Sequence, residues 1–319
     1  MRAIVVTRFG GPEVLELQDV PAPEPRSGQV LVDVEFAGVN YRDVYERAGS
    51  YGGEAPLVAG AEGAGTVAKV GNDVADVREG DRVAFNAASG TYAEQVAVDA
   101  AKTVPVPDGV STEIAAAVLL QGMTAHYLTR STYAVQPADE VLVHAAAGGV
   151  GLLLTQLVKL AGGRVIATTS TEEKADLARG AGADEAISYE GFPDRVHELT
   201  DGGVHVAYDG VGRSTFDGSL ASLRPRGMLV LYGAASGQPD PLELMRLDRA
   251  GSVFVTRPSL RHYTATRDEL LSRARDVFRW VEEGELEVRI GDRYGLEDAR
   301  RAHEDLAGRR TTGKLLLQV

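Results

Sequence analysis

Residues Ala146-Ala147-Gly148-Gly149-Val150-Gly151 follow an apolar β-like run, Glu140 to Ala146, and open a long apolar helix-like segment, Gly149 to Leu160. Small residues at such a junction form a turn with a specific use. The first makes the tight bend, the second lets backbone approach a pyrophosphate, and the third lets the helix pack closely on the strand. Gly148 and Gly151 take the second and third places, flanking Gly149 and Val150, while Ala146 takes the first. That alanine departs from the strict glycine pattern, and the strand-then-helix context offsets it. The helix would then aim its N-terminal amides and dipole at the phosphates, so the turn implies a bound dinucleotide.

The end of the following strand, Arg164 to Thr169, bears on which dinucleotide is bound. A carboxylate there accepts bonds from a ribose 2′-hydroxyl, whereas neutral hydroxyls with a nearby cation suit a 2′-phosphate. The chain offers Thr168-Thr169-Ser170-Thr171 and then Lys174, which favours NADP(H). Glu172 and Glu173 weigh the other way, although acidic residues in a first helical turn also compensate the helix dipole.

There is no cysteine among the 319 residues, which excludes disulfides and thiolate chemistry. Its absence fits a reducing compartment, and the N-terminal run lacks the apolar stretch and cleavage pattern of a signal peptide, so an intracellular, cytoplasmic protein is expected. The six histidines show no metal-ligand spacing and read as structural or surface residues. A net charge of −13 disfavours general binding to nucleic acid. No apolar run approaches the ~18 residues of a membrane span.

The elements that must position these residues fall into two styles. Up to about residue 120, short β-like runs alternate with Gly and Pro breaks: Ala3 to Thr7, Leu15 to Asp19, Val30 to Ala37, Gly65 to Val70 and Arg82 to Phe85. This spacing fits a β-rich, barrel-like domain. Pro21, Pro23 and Pro25 mark an extended connector. After Ser111, apolar strands alternate with helices: a strand to Ala146, a helix to Leu160, a strand to Thr169, and a helix from Glu172 to Arg179. Strands at Val204 to Asp209, Met228 to Tyr232 and Ser252 to Val255 follow, with a helix Phe216 to Leu223 among them. That order predicts a doubly wound parallel sheet, an α/β fold. A helix Arg267 to Glu283, a β run Leu286 to Ile290, a helix around Leu296 to Leu306 and a strand Leu315 to Val319 close the chain.

Several separated stretches resemble the zinc-independent quinone oxidoreductase (zeta-crystallin-like) branch of the medium-chain dehydrogenase/reductase superfamily. They are Gly38-Val39-Asn40-Tyr41-Arg42-Asp43-Val44-Tyr45, Gly60-Ala61-Glu62-Gly63-Ala64-Gly65, Gln121-Gly122-Met123-Thr124-Ala125, the Ala145 to Gly151 turn, Thr256-Arg257-Pro258-Ser259-Leu260 and Thr311-Thr312-Gly313-Lys314. The resemblance implies a GroES-like β-rich catalytic domain over 1–121, a Rossmann NADP-binding domain over 122–259, and a return to the catalytic domain over 260–319. In zinc-dependent relatives a cysteine and a histidine hold the catalytic metal at positions that here resemble Asn40 and Ala61. Such relatives usually also carry a four-cysteine lobe where this chain has Asn86-Ala87-Ala88-Ser89-Gly90-Thr91. Neither site can form, so no metal is expected.

The implied reaction is NADPH-dependent reduction of a small quinone or a related α,β-unsaturated carbonyl. An acceptor already activated by conjugation needs no Lewis acid, only orientation and a donor for the charge it gains. The resemblance places Asn40, Tyr45 and Tyr51 against the nicotinamide and acceptor as catalytic residues, and Thr124 beside the nicotinamide half. It assigns Gly148 to Gly151 to the pyrophosphate and Ser170, Lys174 and Tyr189 to the 2′-phosphate. Gly233 and Ala234 would line the nicotinamide, Arg257 would lie near acceptor and cofactor, and Arg309 and Lys314 would offer charge to a cofactor phosphate. Ser252 to Val255 would be an uncovered sheet edge that in relatives pairs across a two-fold axis, so a homodimer is expected. Two alternatives remain open: a reductase of 2-enoyl thioesters or alkenals, and an NADPH-binding structural or regulatory protein with little catalysis.

Overall fold

The computed structural model describes residues 1–319. The first stretch forms β1 (Arg2–Val6), β2 (Leu15–Asp19), β3 (Gln29–Val39), α1 (Tyr41–Arg47), β4 (Leu57–Val58), β5 (Glu62–Val70), β6 (Arg82–Phe85), β7 (Gln95–Asp99), β8 (Val104–Pro105) and α2 (Thr112–Tyr127). The middle stretch alternates β9 (Glu140–Val143), α3 (Gly149–Leu160), β10 (Arg164–Thr169), α4 (Glu172–Gly180), β11 (Glu185–Ser188), α5 (Phe192–Leu199) and β12 (Val204–Asp209). It continues through α6 (Phe216–Ala221), β13 (Leu223–Leu231), α7 (Met245–Arg249), β14 (Phe254–Thr256) and α8 (Leu260–Tyr263). Last come α9 (Arg267–Glu282), β15 (Ile290–Gly295), α10 (Ala299–Ala307) and β16 (Lys314–Gln318).

The chain divides into two compact units, Met1–Gln121 with Thr266–Val319, and Gly122–Ala265. The second crossing lies at 265/266 rather than 259/260. Tyr263 of α8 explains the shift, because its ring stacks on Tyr127 at 4.3 Å and its hydroxyl accepts from Thr132 at 3.1 Å, both in the second unit.

The first unit is built around β3. Its alternating Val30, Val32 and Val34 point into the core while Asp33 and Glu35 face out, the period-two pattern of a half-buried strand. β3 pairs with β5, β7 and β16, in a sheet ordered β15-β16-β3-β5-β6-β8 with β7 also on β3. A smaller sheet, β2-β1-β4, completes the unit. The proline-marked stretch 20–26 lies in no regular element.

The second unit holds a six-stranded parallel sheet ordered β11-β10-β9-β12-β13-β14. Its central strands are continuous apolar runs because helices cover both faces. Leu142, Ile166, Ala207, Leu229 and the helical Val196, Phe216 and Leu220 share one buried core. The chain order reverses beside β9, and ligands of such sheets bind at the carboxyl ends of the strands there.

Several expected elements are shifted, among them β13, which starts at Leu223 rather than Met228, where the expected helix from Phe216 has already ended at Ala221. β9 stops at Val143 rather than Ala146, because Ala145 takes a left-handed conformation, φ 50°. The edge strand is Phe254–Thr256 rather than Ser252 to Val255, because Ser252 is also left-handed, φ 56°. β15 begins at Ile290, where its pairing with β16 starts, rather than at Leu286. The helix expected from Leu296 opens as a 3-10 turn, Leu296–Asp298, before α10.

Candidate functional site

In the second unit the glycine turn joins β9 to α3. Its bend is closed by the Gly148 amide donating to the Ala145 carbonyl at 2.9 Å, and it is tied to β10 by the Ala146 amide donating to the Thr168 carbonyl at 3.2 Å. A Cβ on Gly151 would run into the Ala145 carbonyl and come within 2.7 Å of Ala146 Cα, so only glycine lets α3 start this close to the strand end. Gly148, Gly149 and Val150 are half-buried. No side chain caps this helix start and no acidic residue occupies its first turn. The amides of the first turn and the positive end of the dipole are thus left for an anion, as a pyrophosphate requires.

At the end of β10, Thr168 and Thr169 are buried and Ser170 is exposed. The Thr171 hydroxyl caps α4 by accepting from the Lys174 amide at 3.3 Å, and Lys174 Nζ donates to Ser170 Oγ at 3.4 Å. The two nearby carboxylates are occupied: Glu172 pairs with Arg179 at 2.6 Å, and a hydrogen bond from Thr171 holds Glu173 below the usual carboxylate range. Ser170 Oγ and Lys174 Nζ lie together at the strand end, a hydroxyl and an ammonium of the kind that suits a 2′-phosphate. Tyr189 follows β11; its hydroxyl accepts from the Ala145 amide at 2.9 Å and its ring lies nearly parallel to that of His144. Ser170 and Lys174 therefore come together at one end of β10, and Tyr189 meets the glycine turn.

Beneath that turn is a buried polar cluster. His144 contacts Thr168 Oγ1 at 2.8 Å and Ser219 Oγ at 2.9 Å, and Ser219 and Thr215 hydroxyls donate to Asp209 at 2.9 and 2.8 Å. Burial pushes the His144 imidazole below its ordinary value, so it stays neutral and structural. Elsewhere in the unit, Thr124 is buried on α2 and Ala234 is buried after β13. Gly233 packs against Gly210, and exposed Arg257 donates to the Leu231 carbonyl at 3.1 Å.

In the first unit, Asn40 is the residue before α1, in extended conformation, and is 5% exposed. Its Nδ2 donates to the Gly38 carbonyl at 3.2 Å and to Glu62 Oε2 at 2.9 Å; its Oδ1 accepts from Lys314 Nζ at 2.8 Å and Gln121 Nε2 at 3.4 Å. Lys314 Nζ also donates to Glu62 Oε2 at 2.5 Å, and Glu62 Oε1 accepts from the Leu120 amide at 2.6 Å. The Asn40 carboxamide, expected against the acceptor, is engaged by these groups within the protein, and Lys314, expected to offer charge to a cofactor phosphate, is 1% exposed with its charge matched by Glu62.

Tyr45 and Tyr51 meet edge to face, 6.1 Å between ring centroids, and Tyr41 lies 6.1 Å from Tyr45 on its other side. Tyr51 is 60% exposed and Tyr45 half-buried. Arg309 is exposed, left-handed at φ 56°, and beside Tyr41, whose phenol burial pushes up and Arg309 draws down.

Sequence reasoning missed a second buried network on α1. Asp43 Oδ2 accepts from the Asn40 amide at 2.8 Å and from the Tyr92 hydroxyl at 2.9 Å, while Asp43 Oδ1 is buried without a partner. Tyr92 reaches His303 Nε2 at 3.2 Å, and His303 Nδ1 lies 3.2 Å from Arg47. Burial pushes the Asp43 carboxyl up to about 7 and, with Arg47 nearby, the His303 imidazole down to about 3. For the pairing of Glu62 with Lys314 in the first network, the available signals were a lone acid amid glycines, Gly60-Ala61-Glu62-Gly63, and a cation heading an apolar strand, Lys314-Leu315-Leu316-Leu317.

No group of three or more His, Asp or Glu residues is placed to hold a metal ion. The profile described as zinc-binding dehydrogenase matches residues 149–276, and that of the alcohol dehydrogenase GroES-like domain matches residues 26–108. The chain is 43% identical to a quinone oxidoreductase of Pseudomonas aeruginosa over 321 residues, covering 99% of each. It is 39% identical to a 2-haloacrylate reductase of a Burkholderia species over 326 residues, covering 99% of this chain and 98% of that one. A mycobacterial structure complexed with NADPH superposes over 100% of both chains with TM-score 0.98 and 49% identity. With relatives of this identity along nearly its whole length, on a GroES-like and Rossmann architecture, the chain belongs to the quinone oxidoreductase family of the medium-chain dehydrogenase/reductases.

Proposed function

We propose that the protein is a cytoplasmic, NADPH-dependent, metal-independent reductase of quinones and related α,β-unsaturated carbonyls. The observation that carries this reading is the open start of α3 together with Ser170 and Lys174 at the end of β10, a phosphate cradle and a 2′-phosphate site on one sheet. The NADPH complex of the 49% identical mycobacterial protein supports the choice of cofactor. NADPH, when bound, supplies the hydride.

The residues do the rest. Gly148 to Gly151 hold the pyrophosphate through backbone amides; Ser170, Lys174 and Tyr189 select the 2′-phosphate; Thr124, Gly233, Ala234 and Arg257 bound the nicotinamide half. From the first unit, the phenols of Tyr45 and Tyr51 donate to the oxygen that gains charge during reduction, and Arg309 adds positive potential beside Tyr41. Metal independence is supported by the side chains themselves: positions 40 and 61 are Asn and Ala, and the chain has no thiolate. The Burkholderia relative favours a second acceptor class, conjugated alkenes bearing a carboxylate.

The test is NADPH against NADH oxidation with 1,4-quinones, enals, crotonyl-CoA and 2-chloroacrylate, chelator present throughout. Quinone turnover with NADPH is expected. Tight NADPH binding with no acceptor reduced would leave a binding protein in its place, and inhibition by chelator would overturn metal independence.

We also propose a homodimer through the β14 edge. Phe254 on that edge is 56% exposed, and Leu244 and Met245 at the start of α7 are 76% and 52% exposed, an apolar surface that a second copy would cover. A monodisperse monomer in light scattering at micromolar concentration would refute it.

A further inference from the structure

We propose that Glu62 and Lys314 are positioning residues: by binding one N–H and the oxygen of the Asn40 carboxamide, whose other contacts go to Gly38 and Gln121, they fix the first turn of α1, and through it Tyr45. The inference rests on the reading that Tyr45 meets the acceptor. Asn40 has two side-chain N–H groups and one oxygen with two lone pairs. Gly38 and Glu62 take the two donors, and Lys314 and Gln121 take the oxygen. Its main chain is committed as well, since its amide donates to Asp43 Oδ2 at 2.8 Å and its carbonyl accepts from the Asp43 amide at 3.0 Å. Nothing on Asn40 remains for a ligand.

The pair is built for this geometry rather than placed by default. Glu62 is fully buried and Lys314 is 1% exposed, and because desolvation offsets most of the attraction in such a pair, net stability is a poor account of it and a fixed conformation is the role inferred. Room for them is made by Gly38, since a Cβ there would collide with Glu62 Oε2 and come within 2.7 Å of Lys314 Nζ. The two partners come from β5 and from β16, so strands distant in sequence converge on the residue that starts α1.

Four variants test it: Asn40→Asp, Glu62→Gln, the double Asn40→Asp/Glu62→Gln, and the charge-free pair Glu62→Gln/Lys314→Met. The first double exchanges amide and carboxylate around an intact Lys314 and leaves position 40 without an N–H donor. Two readouts are taken, amide hydrogen exchange of residues 41–47 in the ligand-free protein, and kcat and KM with NADPH and 1,4-benzoquinone. Each single variant and the charge-free pair should speed exchange in α1 and lower kcat by about tenfold with the KM for NADPH little changed, the pattern of lost orientation. The exchanged double should recover most of both.

Unaltered exchange over 41–47 in the charge-free pair would overturn the proposal. So would an exchanged double with restored exchange but kcat still depressed, since the Asn40 amide would then be a direct donor. Should the singles fail to fold, the two charge-balanced doubles still decide. Wild-type protein inactive on every acceptor would sink the quinone reading, while the exchange data would still rule on positioning.

Discussion

The starts of α1 and α3 are both preceded by a residue in extended conformation, Asn40 and Gly148, yet they are finished in opposite ways. At α1 the protein supplies its own acceptor: the Asp43 carboxyl sits in the first turn and binds the Asn40 amide, and the preceding side chain is locked by a buried ion pair. At α3 glycine precedes the helix, no acid follows, and no side chain caps it. A cap and a first-turn carboxylate are each worth about 1 kcal/mol, so leaving α3 without them is a standing cost. The contrast teaches that one helix start is closed on the protein's own groups, while the other is left uncapped.

The comparison breaks for the cofactor if the open start is filled. Gly151→Val puts side-chain atoms against the Ala145 and Ala146 backbone, and is expected to weaken NADPH binding by about a hundredfold, roughly 2.7 kcal/mol, in a fluorescence titration. Unchanged affinity would mean that α3 does not hold the cofactor. The closed start is tested by Lys314→Met, which strands the Glu62 carboxylate in the core. A loss of about 3–5 kcal/mol in urea unfolding is expected, largely recovered when Glu62→Gln is added. A smaller effect is expected from Lys174→Ala, a fall of about tenfold in the ratio of kcat/KM for NADPH over NADH, the worth of one charged hydrogen bond. A ratio that does not move would return the choice of cofactor to other residues.

The smallest effect is a pH dependence confined to the closed start. Asp43 holds its proton to about 7 in the folded protein against 3.8 ordinarily, so the fold binds more protons than the unfolded chain between those values and stability falls as pH rises through them. His303 acts the opposite way: its folded value of about 3 against 6.5 means stability is lost as pH falls below 6.5. The two oppose each other over most of the acid range in the wild type. Asp43→Asn keeps an acceptor for Tyr92 and removes only the Asp43 contribution, so its melting temperature should climb with pH from about 4 to 6.5 more steeply than that of the wild type. Parallel melting curves across that range would show that Asp43 is ionised throughout.

These two helix starts also mark what was legible in the chain. The glycine turn, β10 and α4 are local: periodicity and small residues at fixed spacing appear within forty residues, and the structure has them there. The hydroxyl and lysine expected at the end of β10 do come together. Asn40 and Lys314 were each singled out by resemblance, but not as partners, because Glu62 and Lys314 approach Asn40 from strands 22 and 274 residues away in sequence. No one-dimensional pattern reports that a terminal-looking lysine is buried. The displaced ends of β9 and β14 failed for a different reason, since Ala145 and Ser252 adopt left-handed backbone without being glycine or asparagine.

β16 has a further consequence, for biosynthesis. It lies beside β3 and brings Lys314, yet it is made only after all of residues 122–265. At ordinary ribosomal speeds the delay between Glu62 and Lys314 is on the order of ten to fifty seconds. During it, the nascent first unit carries an unpaired strand edge and an acid without its cation, while the parallel sheet of the second unit already has every strand it needs. The edge of β3 that β16 covers therefore stays unpaired until every strand of the parallel sheet has been made.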